Sequence, residues 1–500
     1  MSSLWSIWCF NSRRFLAFTV FAVIVVLIWT ASPIDSIKDA YEYVSIPDFA
    51  TTKTSRLHYL IPASQPKLNF CANVISVLAN RYPIPVMLGY KGEGEFDAKA
   101  THLAKVRAIH RYLHTLPSKQ DDDLVIVVDG YDVLAQLPAE AMIERYFEIV
   151  AMHDRHLADR YGLTVDEAHA RGMRQSVIWG ADKGCYPPMW DQPQCWALPP
   201  SFLPHNVYGR STHDGALQYN DPVFINAGTA MGPVSDLRLQ MDHALMLINN
   251  TYNEDFKYKN SDQYYMGKLL ARQETSHTKA LTGGTVPGLK GSRWLPPAAD
   301  FDSNITDLHM AIDYESAFTC TQCGNEGWMR NLQFKNPDNT ALMDADVGQE
   351  KESFKPFPIQ MPGNVRTALV RLYESIVHDT PAEEWIRKIK LGTNVATGQI
   401  YGIYHGTCNK NNFKDRFKAL WLYADARALL RAATEAFHAN RPLAPRKIDG
   451  RYWVAPKYYP KDDTLYDPLG GVYTDYYDPK EQFIPLGKLC SAHLYDLFGN

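Results

Sequence analysis

One segment, DDDLVIVVDGYDVLAQLP from Asp121 to Pro138, constrains this chain more than any other. Its apolar run, Leu124 to Val128, is short and rich in Val and Ile. That composition predicts a strand buried on both faces, as in a parallel sheet covered by helices. Asp129 and Asp132 then fall where the strand leaves the sheet, the edge at which open α/β sheets bind ligands. Gly130 beside them lets another group approach the backbone, and two acids in one turn suit a hard divalent cation. The plainer reading is a strand followed by an acidic turn, so other segments must decide between the two.

A chain of 500 residues, 46% hydrophobic and 12% aromatic, can bury a sizeable core in one large α/β domain or in two. Its net charge of −4 offers no electrostatic footprint for nucleic acid. Near the start, Phe15 to Ala31 is an apolar run behind Arg13 and Arg14. Such a run suits a signal anchor across a thin secretory membrane, endoplasmic reticulum or Golgi. The arginines place residues 1–14 in the cytoplasm and the body in the lumen. A cleaved signal peptide is the alternative, because Ala31 and Ser32 are small enough for processing. Residues 32–65, mixed in polarity with scattered Pro, read as a stem, and 66–500 as the lumenal body.

Of eight cysteines only Cys9 precedes the apolar run, and the others would meet an oxidising space. Cys185 and Cys195 flank a Pro-rich loop that they could close, and Cys320 and Cys323 form the one CxxC pair, too little for a zinc site. The odd number left after Cys9 implies a free or intermolecular thiol. Asn249 and Asn304 head glycosylation triplets.

The body alternates strand and helix patterns. Pro83 to Tyr90 reads as a strand. A helix follows over about 100–116, with Leu103, Val106, Ile109 and Leu113 as one buried stripe. The next helix starts near Pro138 and buries Ile143, Tyr146, Phe147 and Val150. Ser176 to Pro187 opens with a strand. Val223 to Ile225 is a strand, followed by a small-residue turn and a helix to about Ile248. Ser261 caps another helix with acid in its first turn. Asp307 to Phe318 reads as a strand and its exit, Gly398 to Cys408 as a strand ending at His405, and 413–436 as one helix. Residues 440–500 read as an aromatic-rich extension beyond a core of about 69–410.

Four strings, VIVVDGYDV, FINAGTAMG, SDQYYMGKLL and AIDYESAF, occur in an order that resembles the glycosyltransferase-A fold. The likeness is to lumenal enzymes akin to the glycosyltransferase domain of lysyl hydroxylases and the procollagen galactosyltransferases. It covers about Asn69 to Phe318, with a weaker tail to Cys408. It implies a Rossmann-like mixed sheet flanked by helices and a hexose transferred from a nucleotide-sugar, most simply UDP-linked, to a glycan or glycoprotein acceptor. A Mn²⁺ or Mg²⁺ would neutralise the departing diphosphate. By the same resemblance Asp129 and Asp132, spaced DxxD, are metal ligands with His405 as the third. Lys105 steadies the diphosphate, and Asn226 and Gly228 form an N-x-G turn beside the sugar. Asp182 and Trp179, in the IWGAD strand, are candidates to flank that sugar, with core packing as the alternative for Trp179. Asp262 and Gln263 match a DQ pair, where the acid is either the general base of an inverting enzyme or a contact to the donor sugar. Asp313 reads as structural. No hydroxylase domain follows, so that activity is not implied. Two rivals remain: an inactive body serving as a lumenal binding subunit, and a metal-dependent phosphohydrolase, which would need further His/Asp ligands near the first pair.

Overall fold

Leu124–Val128 forms a strand near the middle of a nine-stranded sheet in the computed structural model, which describes residues 53–209, 216–281, 307–342 and 357–499. In chain order the strands used below are β1 (Thr54–Pro62), β2 (Val86–Leu88), β3 (Leu124–Val128), β4 (Val133–Ala135), β5 (Val177–Asp182), β6 (Phe224–Pro233) and β7 (Met310–Ile312). Across the large sheet the order is Phe483–Pro485, Gly471–Thr474, β2, β1, β3, β6, β5, β7, and Tyr452–Val454 pairs with the start of β1. Strand β1 is parallel to β2 and β3, while β6 runs antiparallel to both β3 and β5. The sheet is therefore mixed.

Both faces are covered, and β3 shows why its sequence is apolar throughout. Leu124, Ile126 and Val128 belong to the core beneath α1 (Leu68–Ala79) and α3 (Ala139–Tyr161). Val125 and Val127 belong to the opposite core, beneath α2 (Leu103–His114), α4 (Val234–Thr251) and α5 (Asp262–Leu281). Alternate residues of a strand point to opposite faces, so a strand between two helical layers has no place for a polar side chain. Each such side chain contributes roughly 1.5–3 kcal/mol by its burial. The α2 stripe Leu103, Val106, Ile109 and Leu113 is buried as its spacing predicts.

Several expectations need correction. Residues 54–62, assigned to a stem, are β1, buried between β2 and β3. The expected extension at 440–500 supplies three strands of the large sheet, and Trp453 within it is fully buried. The turn expected after Ile225 is instead the middle of β6, a continuous strand through Pro233. The helix expected at 413–436 is two, Phe413–Lys418 and Ala426–His438. Cys185–Cys195 closes the Pro-rich loop and one thiol, Cys320, stays free and buried, both as expected, while Cys323 of the CxxC pair joins Cys408 and Cys71 joins Cys490. The expected cytoplasmic tail 1–14, the expected anchor 15–31, Cys9, the expected stem up to residue 52 and Asn304 lie outside the described residues. Among the described residues no helix is long and apolar enough to cross a membrane. Asn249 is exposed near the end of α4.

Candidate metal centre

Strand register brings the site together. Backbone N–H of Asp129 donates to the carbonyl of Gly228 at 2.7 Å, so the exit of β3 lies against the middle of β6. There β6 bulges: Trp179 pairs with Ala230 but Gly180 with Asn226. The slack frees residues 227–229 from β5 and re-aims them, as bulges beside functional sites do. Strand β5 runs in the same direction as β3 and ends on Asp182.

A smaller three-stranded sheet delivers the histidine. Ile403–His405 pairs antiparallel with β4 and parallel with Thr319–Thr321, and His405 stands opposite Val133. That register sets His405 next to Asp132, and Gly406 N–H donates to the Asp132 carbonyl at 2.6 Å. His405 Nε2 lies 3.5 Å from Asp132 Oδ1 and 3.8 Å from Asp129 Oδ2. The three side chains offer ligand atoms all within 4.8 Å of one another.

Two lysines orient the acids. Lys105, in the first turn of α2, donates to Asp129 Oδ1 at 2.8 Å and to the Ala227 carbonyl at 3.0 Å. It also pairs with Asp262, the first residue of α5, where Ser261 Oγ accepts from Tyr264 N–H as the cap. Lys410 takes Asp132 Oδ2 at 2.6 Å. Each carboxylate thus gives one oxygen to a lysine and turns the other toward His405. Around them Asn226 and Gln263 both donate to Asp182 Oδ2, at 2.9 and 3.1 Å, and Asn226 Oδ1 accepts from Gly228 N–H. Gly228 has no room for more: a Cβ there would stand 2.2 Å from His405 Cε1 and 2.8 Å from Asp129 Oδ2.

Burial sets the electrostatics. It raises the pKa of Asp129 against the pull of Lys105, and it raises that of Asp182 against the amides of Asn226 and Gln263. Burial works the same way on Asp132, but His405 and Lys410 outweigh it and hold this carboxyl well below its ordinary range. His405 is raised because Asp132 and Asp129 outweigh its desolvation, and Lys105 is raised because Asp129 and Asp262 do the same. Three carboxylates, Asp129, Asp132 and Asp262, share two ammonium groups, and a fourth, Asp182, is held by amides alone. Buried charge of one sign is costly until paired. His405 Nδ1, Asp182 Oδ1 and Thr229 Oγ1 are also buried without a hydrogen-bond partner. A polar, negatively charged cluster with unmet hydrogen-bonding capacity fits a bound dication with its polar ligand. Two carboxylates and an imidazole are a donor set for a divalent metal ion.

The structure brings Asp129, Asp132, His405, Lys105, Asp262, Gln263, Asp182, Asn226 and Gly228 together. Trp179 is buried and its indole N–H donates to Gln240 Oε1 at 2.9 Å, a core role. Asp313 accepts from the N–H groups of Ala317, Phe318 and Thr319, although burial pushes its pKa up to about 7. It shapes the turn after β7. Lys410 was missed, since nothing marks a lysine in HGTCNKNN until His405 is placed. Asn69 and Asn73 were missed too. Their amides donate to the carbonyls of Tyr131 at 2.8 Å and Asp129 at 3.1 Å, bracing the acidic turn from α1. Two Asn four apart on a largely apolar helix were the available signal.

No family model matches this sequence, and no curated protein matches it either.

Proposed function

We propose that the chain is a metal-dependent glycosyltransferase of glycosyltransferase-A type, moving a hexose from a nucleotide-sugar to a glycan or glycoprotein acceptor in the secretory pathway. The observation that carries the reading is the convergence of Asp129, Asp132 and His405 at the exit of a central strand, with Lys105 bridging Asp129 to Asp262. Asp129, Asp132 and His405 would hold the ion, which when bound supplies charge neutralisation for a nucleoside diphosphate leaving group.

The chain's own groups do the rest. Lys105 stays a cation at working pH because two carboxylates raise its pKa, so it can receive a phosphate oxygen beside Asp129. The partnerless Oδ1 of Asp182 is an acceptor for a sugar hydroxyl, and the two amides on Oδ2 fix its direction. Gly228 keeps the floor of the site at backbone level. Asp262 stands at the mouth of α5, joined to Lys105, where an acid can contact the sugar or accept the acceptor's proton. The phosphohydrolase reading wants two clustered metals. Among the described residues at this centre Asp129, Asp132 and His405 gather ligand atoms within 4.8 Å of one another, a set for one ion, which favours transfer.

The test is a panel of nucleotide-sugars and nucleoside diphosphates, followed by thermal shift and donor hydrolysis, with Mn²⁺ and with chelator. Stabilisation by a nucleoside diphosphate only when Mn²⁺ is present is the expected result, and Asp132→Asn is expected to abolish it. Indifference to every nucleotide would instead favour a binding subunit without catalysis.

A further inference from the structure

A second group of metal-ligand side chains lies on the same face of the sheet. Helix α2 carries Lys105 in its first turn and His110 and His114 toward its end, four residues apart and so on one face. Both imidazoles point at α4. His110 Nε2 lies 2.9 Å and His114 Nε2 2.7 Å from the same oxygen, Asp242 Oδ1. The two rings sit side by side, with centroids 4.3 Å apart.

The helices that present these groups are locked together. Arg238, one turn before Asp242 on α4, caps the end of α2 by donating to the carbonyls of Leu113 and Leu116, at 3.1–3.3 Å. Its own charge is met by Asp121 at 2.8 Å. The guanidinium therefore serves as a brace between the helices, with its charge already paired. Val106, Ile109, Leu113, Leu237 and Met241 pack in one core beneath the pair. The ligand atoms are consequently set by the packing of two long helices.

We infer that His110, His114 and Asp242 form a zinc site that staples α2 to α4. The three ligand atoms lie within 4.8 Å of one another. Tetrahedral zinc with bonds of about 2.0–2.1 Å spaces its ligand atoms about 3.3 Å apart, so each His–Asp separation need open by only about half an ångström. All three side chains are partly exposed, which permits that adjustment and leaves a solvent side for water to complete the shell. Two imidazoles and one carboxylate favour Zn²⁺ over Mn²⁺ by the usual order of divalent affinities. This site is chemically distinct from the Asp129 centre and does not depend on what that centre does. It acts on the helix that delivers Lys105.

The experiment titrates zinc chloride into the protein carrying Asp132→Asn, so that the first centre is disabled, and reads calorimetry and thermal unfolding. One zinc per chain and a rise in Tm of a few degrees are expected. Adding His114→Ala is expected to abolish both, while its Tm in EDTA stays at the parent's value. Adding Asp242→Asn instead, which keeps a hydrogen-bond acceptor but loses the charge, is expected to weaken zinc by about tenfold or more. Unaltered zinc binding after His114→Ala overturns the proposal, as does a parent that binds no zinc.

Discussion

At the scale of single residues the most exacting position is Gly228. Its backbone accepts from Asp129 N–H, and its missing side chain is the space that His405 and Asp129 Oδ2 occupy. His405 is almost fully buried and has nowhere to retreat. Gly228→Ala is therefore expected to cost about 1–3 kcal/mol by overpacking and to remove the Mn²⁺-dependent response to nucleoside diphosphates. Differential scanning fluorimetry with and without Mn²⁺ reads both effects. An unchanged response would mean that the centre is not assembled around this glycine. Such a glycine is visible in the string FINAGTAMG, but its reason is not, because the atoms that fill its space lie 99 residues upstream and 177 downstream.

Elements show where local pattern succeeds and where it stops. Strand β3 was legible because both its faces are buried and the sequence has no polar interruption. Strand β1 was not, because Ser55, Arg56 and His58 break the run of TSRLHYLIP. Their partners lie on other segments: Arg56 backbone N–H donates to Asp123 Oδ1 at 2.8 Å, its guanidinium reaches Asp123 Oδ2 at 3.5 Å, and His58 Nδ1 meets the Tyr112 hydroxyl at 2.9 Å. A similar polar tie joins α5 to the segment that leads into β7. His277 Nε2 lies 3.0 Å from Asp307 Oδ2, and His309 N–H donates to Asp307 Oδ1. Burial would raise Asp307, but His277 and His309 hold its pKa down to about 2. The folded value lies below the unfolded one, so the unfolded chain binds the extra proton between them. The contribution is thus present above about pH 4 and fades as pH falls through about 2. A shift of this size is worth about 2 kcal/mol. Asp307→Asn is expected to lower the denaturant midpoint at pH 7 and to flatten the acid limb between pH 4 and 2. An acid limb as steep as the parent's would sink this assignment.

For the whole molecule, the segment that sequence alone set aside as an extension is tied to the candidate centre. Its composition is dense in Tyr, Pro, Asp and Gly, which hides three short strands, two of which pair with β1 and β2 near the start of the described chain. Pairings between such distant segments leave no local period. The Cys71–Cys490 disulfide closes the same long circuit, with a sequence separation of 419. Cys71 is on α1, two residues from Asn69 and two from Asn73, whose amides hold the backbone of Tyr131 and Asp129. The carboxyl-terminal region therefore anchors the helix that braces the acidic turn of the candidate centre. Loop-closure entropy sets a ceiling of about 6 kcal/mol for this bridge and about 3 kcal/mol for Cys185–Cys195. Replacing Cys71 and Cys490 by Ala together is expected to cost more stability than replacing Cys185 and Cys195. It should also weaken the Mn²⁺ response, because α1 loses its restraint while Asp129, Asp132 and His405 are all still present. Parallel denaturant melts and Mn²⁺ titrations of the two double variants separate the effects. Equal losses of stability, or a full Mn²⁺ response without the long bridge, would show that α1 holds the acidic turn without help from the end of the chain.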